Sequence, residues 1–579
     1  MKMNKNMLKK LIDVAAGRIP ADLVIKNCQV VDVYNASIIK GDIALCEGLI
    51  AGIGLYEGNI EIDANGQYAA PGFIDSHIHI ESSYVSPEEL GRLIVPHGTT
   101  TIISDPHEIT NVCGLSGLEY MIEASKRTAL DIKLMLPSCV PATPFEHSGA
   151  VVAAKDMEQV IGRDEILGLG EFMNFPGVAA ADSAVLDKLV VAINHGKPID
   201  GHSPGLNGNA LNAYVSAGIH TDHECSTVEE MQDRLSRGMY VLMRQGSACH
   251  NLSELLKAVT PLNSRRCVLC SDDCQPKTIL SDGHLNNHLR LCVNAGIDPI
   301  IAVQMASLNA AECYGLKDRG AIAPGLRADI VVMDNLSDFH VNKVFIAGRE
   351  AAADGNYLLP VIKHDISATK GRFHVKDFSK DKLKLNVKSD KAHVITIIPG
   401  GVVTAKEIAQ IKRDENGDFL FDPSKDIVKI AVVERHQNTG NVAVALLKGY
   451  GIKRGAVALS IAHDSHNIIV VGVSDDEMAF AVQKLIEQDG GIVLVNGGEV
   501  IESLPMPIAG LMSDQSGEWV DERLTRIHQT AVEKLGISQL VEPVMTLCFM
   551  ALPVIPELKL TDMGLFDVTQ FDFIPIEAI

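Results

Sequence analysis

The stretch Pro71-Gly72-Phe73-Ile74-Asp75-Ser76-His77-Ile78-His79 decides the fold of this chain. An apolar run leaves a Pro-Gly turn and closes on a His-x-His pair. Side chains alternate along a strand, so His77 and His79 point the same way. Two imidazoles leaving one strand end together are what a single metal ion requires of its ligands. Alone, the pair is weak evidence and reads more readily as a polar strand end; the downstream sequence chooses between the two.

Working outward, apolar strand-like runs recur at 99–104, 132–136, 167–170, 198–201, 217–221, 240–243 and 267–271, with helical stretches between them. With the opening strand they make eight. Strands alternating with helices over roughly 250 residues predict an α/β fold of the (β/α)8 TIM-like barrel type, and such barrels place their chemistry at the carboxyl ends of the strands. Residues 20–70 instead read as short strands broken by turns such as Glu47-Gly48 and Asn65-Gly66, and residues 320–358 share that character. The two pieces are expected to pair into one β-sandwich flanking the barrel. A Lys- and Asp-rich stretch at 376–391 reads as a linker to a further α/β unit, with strands at 427–433 and 468–473 and a helix at 477–488. The predicted organisation is therefore 1–71 and 320–365 for the split β-sandwich, 72–319 for a metal-dependent barrel, and 366–579 for an α/β C-terminal domain.

Bulk properties set limits. A net charge of −22 over 579 residues argues against a nucleic-acid-binding surface, which would be basic. Twelve cysteines without regular spacing read as reduced thiols of a cytoplasmic protein, and the lone Cys267-x-x-Cys270 as core. Leu8, Leu11, Ile12 and Val14, interrupted by Asp13, predict a short amphipathic helix rather than a signal peptide. No stretch is apolar for long enough to span a bilayer, so no membrane partner is expected.

Taken in order, the strand ends give His77 and His79, then Gly170-Glu171, Gly201-His202, Asp222-His223 and Ser271-Asp272-Asp273. Each has a plain reading: Glu171 or the Asp pair as helix caps, His202 as a turn residue. Together they bring four imidazoles and two carboxylates to one barrel rim, enough for two metal ions with Glu171 between them. Nitrogen and oxygen donors in this mixture favour zinc, manganese or iron over calcium.

This set resembles the amidohydrolase superfamily, and within it the bacterial adenine deaminases. The likeness is carried by Ala70-Pro71-Gly72-Phe73-Ile74-Asp75-Ser76-His77-Ile78-His79-Ile80-Glu81-Ser82-Ser83, Asp105-Pro106-His107-Glu108-Ile109, Leu136-Pro137-Ser138-Cys139-Val140-Pro141-Ala142-Thr143, Gly168-Leu169-Gly170-Glu171-Phe172-Met173-Asn174, Asp200-Gly201-His202-Ser203-Pro204, Thr221-Asp222-His223-Glu224 and Ser271-Asp272-Asp273. Glu171 discriminates most, because hydantoinase-like members usually place a carboxylated lysine there. The resemblance implies two divalent ions per subunit, manganese or iron before zinc, on His77, His79, Glu171, His202, His223 and Asp272. It implies hydrolysis of adenine to hypoxanthine and ammonia in purine salvage, and a homo-oligomer, dimer or tetramer. Asp272 is the expected proton shuttle, with Glu171 the other catalytic carboxylate. Glu81, His107, Glu146, Asp273 and His284 are candidate purine contacts, with Glu108 as a further polar neighbour. In the C-terminal domain, His436, His463 and His466 are read as part of a lid, with His463 and His466 alternatively a second metal site. Rival readings are a guanine-type deaminase, a cyclic amide hydrolase and a non-catalytic barrel scaffold.

Overall fold

The computed structural model describes residues 3–400 and 402–578. Eight parallel strands form the central ring: β1 (Phe73–Ile78), β2 (Thr99–Ser104), β3 (Asp131–Leu136), β4 (Ile166–Phe172), β5 (Ile199–Gly201), β6 (Thr221–Asp222), β7 (Tyr240–Arg244) and β8 (Cys267–Cys270). Strands β1 to β5 make one sheet and β6 to β8 another. Single parallel bridges, Ile78 with Asp272 and Ile199 with Ile219, join their ends and close the barrel. Burial on both faces explains the near-continuous apolar strands. In β8, Cys267 and Cys270 are both buried and free, each packed in a different apolar cluster.

The sixth strand differs from its sequence reading. Ala217 caps the preceding helix Gly208–Ser216, Gly218 takes a positive φ, and pairing within β6 begins only at Thr221. Polar side chains take over part of the ladder's work in this short stretch. Thr221 Oγ1 donates to Asp200 Oδ1 at 2.8 Å and accepts from the Gly201 amide at 3.0 Å. Buried Arg234 donates to Asp222 Oδ2 at 2.9 Å.

The two flanking pieces meet. Tyr68–Pro71 pairs antiparallel with Ile330–Met333. Among the described residues they belong to one nine-stranded sheet, which packs Ile25, Val30, Ile43, Ile330, Val332 and Phe345 on one side. Val31, Ala70, Val331 and Met333, on the alternate positions, join the core of the barrel. The amphipathic helix forms at Lys5–Ala15, its first turn capped by the Asn4 side chain.

In the C-terminal part, an eight-stranded sheet has helix Asp475–Glu487 against one face. Strand Ile427–Val433 shows the period of two: Ala431 and Val433 face that helix, whereas Val428, Ile430 and Val432 share a cluster with the barrel. The stretch read as a linker is packed instead of free, because Leu383, Leu385 and Val387 are buried in this sheet's core. Among the described residues no helix is long and apolar enough to cross a membrane.

Lys559, on strand Leu558–Thr561, is fully buried, and its Nζ donates to the Val402 carbonyl at 2.8 Å. Burial pulls its pKa down from 10.5 to about 7. Between those values the unfolded chain holds a proton that the folded chain does not, so this group makes stability rise with pH, and its cost is complete below pH 7. Lys559→Met should therefore raise Tm more at pH 6.5 than at pH 9.5. A Tm difference independent of pH would show that the ammonium is not desolvated.

Candidate metal centre at the barrel mouth

Strand β1 is pinned at the point where its histidines emerge. Asp75 accepts from the amides of His77 at 3.2 Å and Ser271 at 3.1 Å, and from Ser271 Oγ at 2.5 Å, tying β1 to β8. Beyond this clasp, His77 Nε2 and His79 Nε2 stand 3.1 Å apart, both buried. His79 Nδ1 lies 3.0 Å from the Asp105 carbonyl, which can only accept, so Nδ1 carries the proton and Nε2 presents its lone pair.

Glu171, the last residue but one of β4, is placed by a close backbone approach. Its amide donates to Asp105 Oδ2 at 2.8 Å, and a Cβ on Gly170 would fall 2.1 Å from that oxygen, so only glycine fits. Tyr214 ties β4 to β5 by donating to the Phe172 carbonyl at 2.7 Å and accepting from the His202 amide at 2.8 Å. The two carboxylate oxygens of Glu171 then face opposite ways. Oε1 lies 3.4 Å from His79 Nε2 and 3.2 Å from His107 Nδ1, and Oε2 lies 2.8 Å from His202 Nδ1 and 3.1 Å from His223 Nε2.

Asp272 completes the first group: Oδ1 is 3.2 Å from His79 Nε2 and 3.7 Å from His77 Nε2. The sequence reading had this residue continue its strand toward the site. Here β8 stops at Cys270, and Asp272 reaches the mouth through a left-handed turn with φ 59°, a conformation that aspartate tolerates. Its other oxygen accepts from Arg244 Nη1 at 2.9 Å.

Burial alone would raise both carboxyls. Hydrogen bonds from His107, His202 and His223 instead hold Glu171 well below the usual range, and His79 and Arg244 do the same for Asp272. Burial, with His223 and His79 close by, keeps His77 neutral by pushing its pKa well down. Among the described residues His77 Nδ1 has no hydrogen-bond partner, so with its proton there Nε2 would join His79 Nε2 as a second donor to one cation. The donor atoms of His77, His79 and Glu171, of His77, His223 and Asp272, and of Glu171, His202 and His223 each lie within 4.8 Å of one another. Adjacent ligands of an ion with bonds of about 2.0–2.2 Å are spaced by roughly 3 Å or a little more, so the six residues fit divalent cations.

The remaining sequence candidates divide. His107 and Asp273 line the cavity above these groups. Asp273 accepts from Ser82 Oγ at 2.5 Å, and burial beside Asp272 pushes its pKa up to about 6. Glu81, Glu146 and His284 are outside the lining. Glu81 is turned into the protein, accepting from the Ile109 amide at 3.1 Å, and burial beside Glu108 pushes it up to about 7. Glu146 lies by Thr143, with its pKa raised by burial and by Asp464. His284 is clasped between Thr99 Oγ1 at 2.8 Å and Asp75 Oδ2 at 3.2 Å, behind β1.

Arg244, Glu224 and Asp464 line the cavity and were missed from the sequence. Arg244 is paired with both Glu224 and Asp272. The signal for Arg244 was its place at the end of β7, one residue beyond the run read as strand seven. Asp464 comes from the C-terminal part, as do His463, Val402 and Phe549, which line the cavity with the barrel residues. His436 is directed away, with Nε2 2.7 Å from the Ser465 carbonyl.

The amidohydrolase family pattern matches residues 68–351, and the adenine deaminase C-terminal domain pattern matches residues 401–572. Adenine deaminase 2 of Desulfotalea psychrophila is 71% identical over 100% of both chains. The chain belongs to the adenine deaminase family. Adenine deaminase of Ligilactobacillus salivarius, another relative, is 52% identical over 99% of this chain and 100% of its own. Among solved structures, a β-aspartyl dipeptidase from Fervidobacterium islandicum AW-1 aligns at 18% identity over 58% of this chain and 98% of its own, with a TM-score of 0.46. As a member of the adenine deaminase family the protein is a hydrolase acting on carbon–nitrogen bonds.

Gly170→Ala tests the close approach. The new methyl should displace Asp105, free the Glu171 backbone and lower bound divalent metal in protein with unchanged far-UV circular dichroism. Metal content equal to the wild type would show that Asp105 does not position Glu171.

Proposed function

We propose that this protein hydrolyses adenine to hypoxanthine and ammonia at a pair of divalent cations. The observation that carries the reading is Glu171, whose Oε1 lies by His79 and whose Oε2 lies by His202 and His223, each in a cluster of metal-binding donors. In this reading His77, His79, Glu171 and Asp272 would hold one ion, and Glu171, His202 and His223 the other. Six nitrogen and oxygen donors without a thiolate suit manganese or iron, and zinc as well. Bound there, the ions would supply the Lewis acidity that lets water ionise near neutral pH.

The chain's own groups do the rest. Asp272 is kept ionised by Arg244, which holds Oδ2 and leaves Oδ1 toward the reacting centre. As water's oxygen adds to C6 of the purine, Oδ1 takes its proton and returns it to the amine, which leaves as ammonia when the C6–N bond breaks. His107 and Asp273, on the cavity wall, are positioned to hydrogen-bond the ring. Val402 and Phe549 cover the mouth and limit water beside it. All twelve cysteines are free, which supports a reducing, cytoplasmic setting for purine salvage.

Manganese-loaded protein offered adenine, adenosine and guanine should release ammonia from adenine. Release from guanine or a cyclic amide, with none from adenine, would overturn the substrate assignment. Asp272→Asn should keep a carboxamide in place but lower kcat by about 10²–10⁴. Near-normal turnover would remove Asp272 from the proton-transfer role.

A further inference from the structure

We propose that Glu108, His463 and His466 hold a further divalent cation, beside the pair at the barrel mouth and on the side where the C-terminal sheet meets the barrel. Glu108 lies in helix His107–Cys113, which follows β2, and both histidines lie in the turn after strand Ala456–Leu459. Their three donor atoms fall within 4.8 Å of one another.

His466 is the decisive residue. It is 0% exposed, and neither of its ring nitrogens has a hydrogen-bond partner. A buried imidazole satisfied on neither side is costly unless a ligand binds it. Its Nε2 is aimed at Glu108, 3.8 Å from Oε2, and His463 Nδ1 is 3.5 Å from Oε1. Both distances are too long for hydrogen bonds. Ligands of one ion at bond lengths of about 2.0–2.2 Å stand roughly 3.3–3.6 Å apart in a tetrahedral site, which His463 meets and His466 exceeds slightly.

The surroundings hold each ligand in place. Ser82 Oγ lies 3.0 Å from Glu108 Oε1, between it and Asp273. The His463 ring stacks on Phe549 at 4.7 Å between centroids, and its amide donates to the Cys548 carbonyl at 3.0 Å. The His466 amide donates to the Ala462 carbonyl at 2.8 Å, and its carbonyl accepts from buried Arg435. His466 also takes a φ of 56°, a backbone state that the neighbouring contacts must stabilise. With one ligand from the barrel and two from the C-terminal part, the ion would fasten the cover over the active-site mouth.

The test is metal stoichiometry by mass spectrometry on full-length protein loaded with Mn²⁺ and desalted. His466→Asn and Glu108→Gln should each carry one equivalent per subunit fewer than the wild type. A His77→Asn, His79→Asn double variant should retain the ion held by Glu108, His463 and His466. Circular dichroism and a melting curve verify folding for each. Wild-type metal content in His466→Asn, or a double variant that retains no manganese, would overturn the proposal. Loss of ions only from the double variant would leave the two-ion reading intact, so the two assignments fail separately.

Discussion

A buried carboxylate with its two oxygens turned to different partners is the constraint on which this structure depends. Glu171 cannot stay ionised inside a barrel unless each oxygen finds positive charge, because removing an unpaired carboxylate from water costs several kcal/mol. Four imidazoles surround it, two on each oxygen. The imidazoles have the opposite difficulty. His77 and His79 confront each other through their Nε2 atoms, an arrangement that wants a cation. Carboxylate and histidines are thus compatible when metal ions lie between them.

Much of the chain serves to hold that arrangement. Asp75 clasps β1 to β8, and Asp105 holds the Glu171 amide from below while its carbonyl fixes the tautomer of His79. Arg244 spans Glu224 and Asp272. These supports decide where the ligands stand, and displacements on the order of 1 Å matter to catalysis. The C-terminal sheet contributes the roof, packing one face against its own helix and giving the other to the core of the barrel.

The barrel was legible because its strands are apolar runs buried on both faces, each closing on a polar residue. The positions of His77, His79, Glu171, His202, His223 and Asp272 at those ends are a local signal, visible without coordinates. The direction of a side chain just past a strand is not. Glu81, Glu146 and His284 follow strand ends as plausibly as His107 does, but in space they turn into hydrogen bonds away from the cavity. Long-range partners were equally hidden. Arg244 meets Asp272 across 28 residues, and His107 faces Asp464 from a different part of the chain. The stretch at 376–391 misled through its charge, since the alternating Leu383, Leu385 and Val387 that bury it are only three residues among many lysines and aspartates.

Anomalous diffraction at the manganese edge, from crystals grown with Mn²⁺, addresses the central claim most directly. The account predicts two peaks at the barrel mouth, one in contact with each oxygen of Glu171. A single peak there, or two peaks neither of which touches Glu171, would contradict it.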